Sequence, residues 1–332
     1  MEFSFSRKYN VLIICILACT LYSCRKKSFH TYEGIMWNTS YHITYESEDE
    51  FTDSITSAML LIDSTLSPFN PNSAVSTLNN GDSIRLTPML HDVLAMSQQV
   101  WKESSGHFDP TAGPLINAYG FGPKQEITIL DSTSIREILS YVGMDKIMIR
   151  NNVLIKPDRR MQFNFSALAK GYGCDCVAAM LARRGVRNYM VEIGGEIVVA
   201  GKSPRGDNWH ISVDKPIEST SSEVHESQII IALSDCAVAT SGNYRNFRDK
   251  GSTRIGHIVD PTSGLPSETD VASATVIAHD CMTADAYATA LMSMPADEAI
   301  MLAKRLKLSA YLILKDGNTW TSQGFERFML KN

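Results

Sequence analysis

Residues 283–293 read TADAYATALMS, a run dominated by Ala, Thr and Ser. Side chains this small let a helix approach its neighbours closely, so the fold has to be one that encloses this segment. Asp285 and Thr289 stand four residues apart and leave one face of that helix together. If the face is buried, a carboxylate and a hydroxyl need a shared polar partner, and a hard cation meets that need. The same spacing also suits an exposed helical face, or a Thr hydroxyl bonded back to the main chain.

The other periodicities set the frame around this helix. Residues 36–47 alternate apolar and polar as a strand does, and residues 50–66 place Ile55, Met59, Leu60 and Ile62 on one helical side. Residues 88–106 begin with Pro and end with Gly, the expected helix asymmetry. Residues 161–168 alternate like a strand, 170–185 read as a helix stopped by Gly185, and 189–201 as a hairpin or bulged strand about Gly194 and Gly195. Strands are expected near 228–233, 272–278 and 310–316, and a further helix from Pro295. Strands and helices mix without regular βαβ alternation, which predicts an α+β fold: mixed or antiparallel sheets with packed helices, in a single large unit. The 332 residues are enough for such a core.

At the N-terminus, Arg7 and Lys8 precede an apolar run from Val11 to Leu21, followed by Tyr22, Ser23 and Cys24. The run is too short to span a bilayer comfortably and has the order of a secretory signal. Leu21-Tyr22-Ser23-Cys24 resembles a bacterial lipobox, so Cys24 is the expected lipid-bearing first residue of the mature chain; the alternative is an ordinary cleaved signal with an incidental Cys. The expected organisation is a signal at 1–23, a tether at 24–34 and a catalytic unit at 35–332, anchored on the periplasmic side of a bacterial membrane. Of the seven Cys, Cys174, Cys176, Cys236 and Cys281 remain after Cys15, Cys19 and Cys24, and the two-residue step from Cys174 to Cys176 suits neither a CxxC redox pair nor a zinc knuckle. A net charge of −5, with no basic cluster beyond the N-terminal region, argues against nucleic acid as a partner.

Gly171-Tyr172-Gly173 imitates half of a dinucleotide fingerprint, but Cys176 holds the third glycine position and no complete GxGxxG or GxxxxGK[ST] follows. Two other segments carry more. Gly106-His107-Phe108-Asp109-Pro110-Thr111 leads into Gly113-Pro114-Leu115, and Ser241-Gly242-Asn243-Tyr244-Arg245 is followed by His257-Ile258-Val259-Asp260-Pro261. Alone, each also reads as a turn, with Asp109 capping a helix and Asp260 shaping a bend.

Taken in order, NPNSAVSTLN, GHFDPTAGPL, ALAKGYGCD, VEIGGEI, ATSGNYRNF, GHIVDPTSGLP and TADAYATAL resemble the signature segments of the ApbE family of FAD:protein FMN transferases, over nearly the whole mature chain. The resemblance implies a divalent metal, usually Mg²⁺, held by Asp285, Thr289 and the main-chain carbonyl of Ala167. It implies an FAD pocket lined by Met36, Phe69, His107, Phe108, Asp109, Asn164, Lys170 and Val259. Two positions depart: Asn164 stands where the family often has Asp, and Met36-Trp37-Asn38 replaces the usual Met-Gly-Thr.

The implied reaction is phosphoryl transfer. A Ser or Thr hydroxyl of an acceptor protein with an Asp…Ser/Gly-Ala-Thr pattern attacks the FMN-side phosphorus of FAD, AMP leaves and FMN remains as a phosphoester. His257 is the candidate base, ligand positioning or turn structure being its rival roles. Rival activities are FAD pyrophosphatase, with water as acceptor, and FAD binding without chemistry. Residues 270–275, DVASAT, resemble the acceptor pattern itself and raise self-flavinylation at Thr275, although the segment also reads as a core strand.

Overall fold

The computed structural model describes residues 27–128, 130–216, 226–242, 247–250, 253–256 and 258–330. The chain opens with β1 (Ser28–Met36) and β2 (Thr39–Ser47), then α1 (Thr52–Leu66), α2 (Ala74–Asn80), β3 (Ser83–Arg85) and α3 (Pro88–Glu103). Next come α4 (Gly113–Ala118), α5 (Ser132–Tyr141), β4 (Met148–Arg150), β5 (Val153–Ile155), α6 (Ala169–Arg183), β6 (Tyr189–Ile193) and β7 (Glu196–Ala200). These are followed by β8 (Trp209–Asp214), β9 (Ser227–Leu233), β10 (Cys236–Gly242), β11 (Phe247–Lys250), β12 (Thr253–Gly256), β13 (Val259–Asp260), β14 (Leu265–Pro266) and β15 (Val271–Ala278). The last elements are α7 (Cys281–Met292), α8 (Ala296–Leu306), β16 (Ser309–Leu314), β17 (Thr319–Thr321) and α9 (Gln323–Glu326).

The fold is α+β. An eight-stranded sheet in the order β1-β2-β6-β7-β10-β15-β16-β17 forms its floor, and its strand pairs run antiparallel. Because side chains alternate across a strand, each strand serves two cores. Ala237, Ala239, Ala274 and Val276 face the helical side, while Val199, Val238 and Ile277 pack with Trp209, Ile231 and Phe325 on the other. α7 lies on the helical side against β10, β15 and α6, with Ala284, Ala286, Ala288 and Ala290 fully buried. A helix enclosed on nearly every side needs small side chains, which is what TADAYATAL supplies.

Two expectations change. Pairing begins at Ser28, inside the stretch expected to be a tether: β1 stays in register with β2 from Ser28↔Ser47 to Met36↔Thr39. Residues 161–168 form no strand. Met161, Phe163 and Phe165 are buried in alternation, but the main chain of Phe163 is held by the Asn79 side chain, which accepts from Phe163 N at 2.7 Å and donates to Phe163 O at 2.9 Å. Asn164 N donates to Pro110 O at 2.8 Å. A period of two therefore reported burial without a ladder, because one side-chain amide satisfies the peptide groups a neighbouring strand would have taken. The 1–23 signal and Cys24 lie outside the described residues, and no described helix is long and apolar enough to cross a membrane.

Asn79→Ala strands both peptide groups of Phe163 and is expected to destabilise the fold by about 1–3 kcal/mol in urea denaturation. Asn79→Asp keeps the acceptor and is expected to lose less; equal losses in the two variants would show that the bond to Phe163 N contributes little.

Candidate functional site

The seam between α6 and α7 gathers Ala167, Asp285 and Thr289, three of the expected residues, with Lys170 beside it. Thr289 Oγ1 donates to Ala167 O at 3.4 Å, and Gly171 N donates to Asp285 Oδ2 at 3.0 Å. A step of four residues back along α7 matches a step of four forward from Ala167, so the segments run antiparallel with one contact per helical turn. Glycine at 171 permits this approach: a Cβ there would come within 2.3 Å of Cys281 O and 2.8 Å of Asp285 Cβ. Ser241, at the end of β10, brings its hydroxyl to 3.2 Å from Thr289 Oγ1.

Three charges meet beside the seam. Lys170 Nζ lies 2.7 Å from Glu196 Oε1, and Glu196 is 2% exposed. Burial raises the Glu196 carboxyl to about 8 even with Lys170 pulling it down. Burial likewise raises the Asp285 carboxyl, with Lys170 and the Gly171 amide opposing. For Lys170, burial works against the ammonium, but Asp285 and Glu196 outweigh it and hold the group above the ordinary lysine value. Lys170 is thus an internal counter-ion for two buried acids. Glu196 Oε2 is buried without a partner, and the second oxygen of Asp285 accepts no hydrogen bond among the described residues.

A second group of expected residues builds a loop beside the seam. His107 Nδ1 stands 3.2 Å from Asp260 Oδ1, off the line a directed hydrogen bond requires, and Nε2 stands 3.6 Å from Glu298 Oε2. Ser293 Oγ donates to His107 O at 2.7 Å, tying the loop to the end of α7. Asp109 turns inward: Oδ1 accepts from Thr111 N at 2.8 Å and Thr111 Oγ1 at 2.6 Å, and Oδ2 accepts from Met144 N at 3.1 Å. Asn164 Oδ1 accepts from Ser166 N at 2.9 Å. Phe108 sits in the main core and Val259 in a small cluster with Leu115 and Val142, both buried. Phe69 is exposed, and Met36 packs partly buried at the end of β1. His257 lies outside the described residues.

Thr275 is closed to chemistry. It is 0% exposed and its hydroxyl lies 2.9 Å from that of Thr240, so self-flavinylation at this residue is ruled out for the folded chain.

Trp37, marked in the sequence only as a departure from Met-Gly-Thr, has a structural place. Trp37 and Asn38, with φ of +53° and +59°, form the two-residue turn between β1 and β2. Left-handed backbone costs a bulky residue on the order of 1 kcal/mol or more. The indole lies against α6, where a Cβ on Gly173 would meet it at 2.8 Å, and its Nε1 is buried with no partner among the described residues. The departure from Met-Gly-Thr was the available signal: it fell where a large side chain covers the helix that carries Lys170.

Asp260 holds the His107 imidazole above its ordinary 6.5, against the pull of burial. Burial pushes Asp260 up, but His107 and Thr262 outweigh it and hold the carboxyl well below 3.8. The His107 contribution is complete below 6.5 and lost as pH rises through the raised value; the Asp260 contribution is complete above 3.8 and lost as pH falls through the depressed one. The pair therefore stabilises most between 3.8 and 6.5. His107→Gln is expected to flatten the fall in melting temperature as pH rises above 6.5; an unchanged slope in thermal denaturation would remove the pair from that linkage.

Among the described residues, no group of three His, Cys, Asp or Glu forms a metal cluster. The seam offers a carboxylate, a hydroxyl and a carbonyl, which suit a hard cation and not a soft one.

Comparison with known proteins follows the same outline. The ApbE family model matches residues 37–312. The chain is 30% identical over 335 residues to the FAD:protein FMN transferase of Haemophilus influenzae, covering 96% of each. It is 31% identical over 336 residues to that of Vibrio cholerae, covering 97% of this chain and 99% of the relative. The structure of the flavin transferase ApbE from Vibrio cholerae superposes with a TM-score of 0.81 at 30% identity, over 91% of this chain and 99% of that one. The apo flavinyl transferase ApbE from Pseudomonas stutzeri gives 0.82 at 26% identity, over 93% and 99%.

Proposed function

The chain belongs to the ApbE family, and on that premise we propose that it is an FAD:protein FMN transferase whose transfer centre is the seam of Ala167, Gly171, Asp285 and Thr289. The observation that supports this placement is the meeting of three hard oxygens from two antiparallel segments beside a half-buried lysine.

FAD is the substrate and a Ser or Thr hydroxyl of another protein the acceptor. The acceptor oxygen forms a bond to the FMN-side phosphorus, the bridging P–O bond breaks, AMP departs with the bond's electrons, and the acceptor proton passes to a base. His257 is our candidate for that base. Lys170, already positive and anchored by Glu196, faces the excess negative charge of the pyrophosphate. Phe69 and Met36 give apolar cover for flavin or adenine, and the Asn164 amide nitrogen stays available to donate, since its oxygen is engaged by Ser166. Asp109, with both oxygens engaged, shapes the loop that carries His107 and Phe108.

Mg²⁺ fits the seam: Asp285, Thr289 and the Ala167 carbonyl would hold it, with remaining positions left to phosphate oxygens and water. When bound, it would offset charge on the pyrophosphate. Lipidation of Cys24 and a periplasmic location complete the proposal. They agree with a lipobox placed directly after an apolar run, and acceptors carrying the Asp…Ser/Gly-Ala-Thr pattern belong with them.

The test is incubation with FAD, Mg²⁺ and an acceptor domain bearing that pattern. Flavin fluorescence on the acceptor in a denaturing gel is the expected result; AMP with free FMN would mark a pyrophosphatase, and unchanged FAD a binding protein. Asp285→Ala is expected to lower transfer by about a hundredfold or more while the protein stays folded. Full activity in that variant would remove the seam from the chemistry.

A further inference from the structure

The contacts that define the seam continue one turn further, to a residue outside the transfer centre. Asp175 lies one turn past Gly171 on α6, and Cys281 lies one turn before Asp285 on α7. Asp175 Oδ1 accepts from Cys281 N and Oδ2 from Met282 N, each at 2.8 Å. Ala167 with Thr289, Gly171 with Asp285, and Asp175 with Cys281 are thus three successive rungs between the same two segments.

The third rung exceeds what capping requires. A helix start leaves its first amides without partners, and one side chain is the usual remedy. Ser73, Thr87 and Asp131 each cap their helices by accepting from a single amide. α7 already has such a cap, Asp280 Oδ1 accepting from Thr283 N at 2.8 Å. The second carboxylate comes from the neighbouring helix and is half-buried, so that burial pushes its pKa up to about 7 even with two amides pulling it down. Small residues on the facing surfaces give few ridges to stop one helix sliding along the other. A carboxylate on one helix, bonded to two consecutive amides of the next, stops the slide.

We propose that Asp175 is a positioning residue: by fixing the axial register of α6 against α7, it sets Asp285 and Thr289 opposite the Ala167 carbonyl. This rests on the reading of that seam as a metal site. The amide of Asp175→Asn has one acceptor oxygen for two backbone donors, so the register loosens while side-chain size is kept.

The experiment measures Mn²⁺ affinity of the full-length protein by electron paramagnetic resonance, alongside the Mg²⁺ dependence of transfer. Asp175→Asn is expected to weaken Mn²⁺ binding by about tenfold, the range of residues that orient metal ligands, and to regain most of its rate at high Mg²⁺. Asp280→Ala, which removes a cap from the same helix start without touching α6, is expected to lower the melting temperature and leave Mn²⁺ affinity in place. Wild-type Mn²⁺ affinity in Asp175→Asn, or equal losses in both variants, would overturn the proposal. Asp285→Ala is the control: lost Mn²⁺ binding there beside intact binding in Asp175→Asn rejects the positioning role alone, whereas intact binding in Asp285→Ala rejects the metal reading and the positioning role with it. Should Asp175→Asn fail to fold, Asp175→Glu keeps both acceptor oxygens on a stem one methylene longer; it is expected to show a smaller loss of affinity, and unchanged affinity there would equally count against the role.

Discussion

The closeness of α6 and α7 at Gly171 governs the rest of the molecule. With no side chain between them, the Gly171 amide reaches the Asp285 carboxylate, and both oxygens of Asp175 reach the start of α7. The buried alanines of α7 serve the same end on its other sides, letting it settle on β10 and β15. The sheet is the rigid floor, and the seam is where main chain and side chain from two helices converge.

That convergence gathers acids where water is scarce. Glu196 and Asp285 are both buried, and burial alone favours their neutral forms. Lys170 between them offsets part of this and keeps one cation permanently in place. A site organised this way is suited to an anionic ligand, part of whose charge the lysine answers.

Much of this was legible in the sequence. The helices at 52–66, 88–103, 169–183, 281–292 and 296–306 follow from apolar spacing with Pro, Gly or Asp at their ends, and Asp285 with Thr289 declared a shared face. The Gly194-Gly195 turn was legible because both residues take positive φ. Residues 28–34 were not, since their charged and polar side chains sit on an exposed edge strand and carry little of the alternation that marks a strand with one buried face. Residues 161–168 misled for the opposite reason: their alternation is real, but Asn79 takes the place of a neighbouring strand. Asp175 and Glu196 were given no role at this site because a single acid inside a helix or strand has no pattern. Their meaning depends on what lies across from them, Cys281 and Met282 in one case and Lys170 in the other.

The missing side chain at Gly171 also bears on how such a protein can diverge. Any larger residue there would push on Cys281 and Asp285 at once, so this position admits no gradual retuning by single replacements. Lineages that acquire new preferences for donor or acceptor would then vary at the margin, in turns such as Trp37-Asn38 and in the loop that carries His107, while Gly171 is kept.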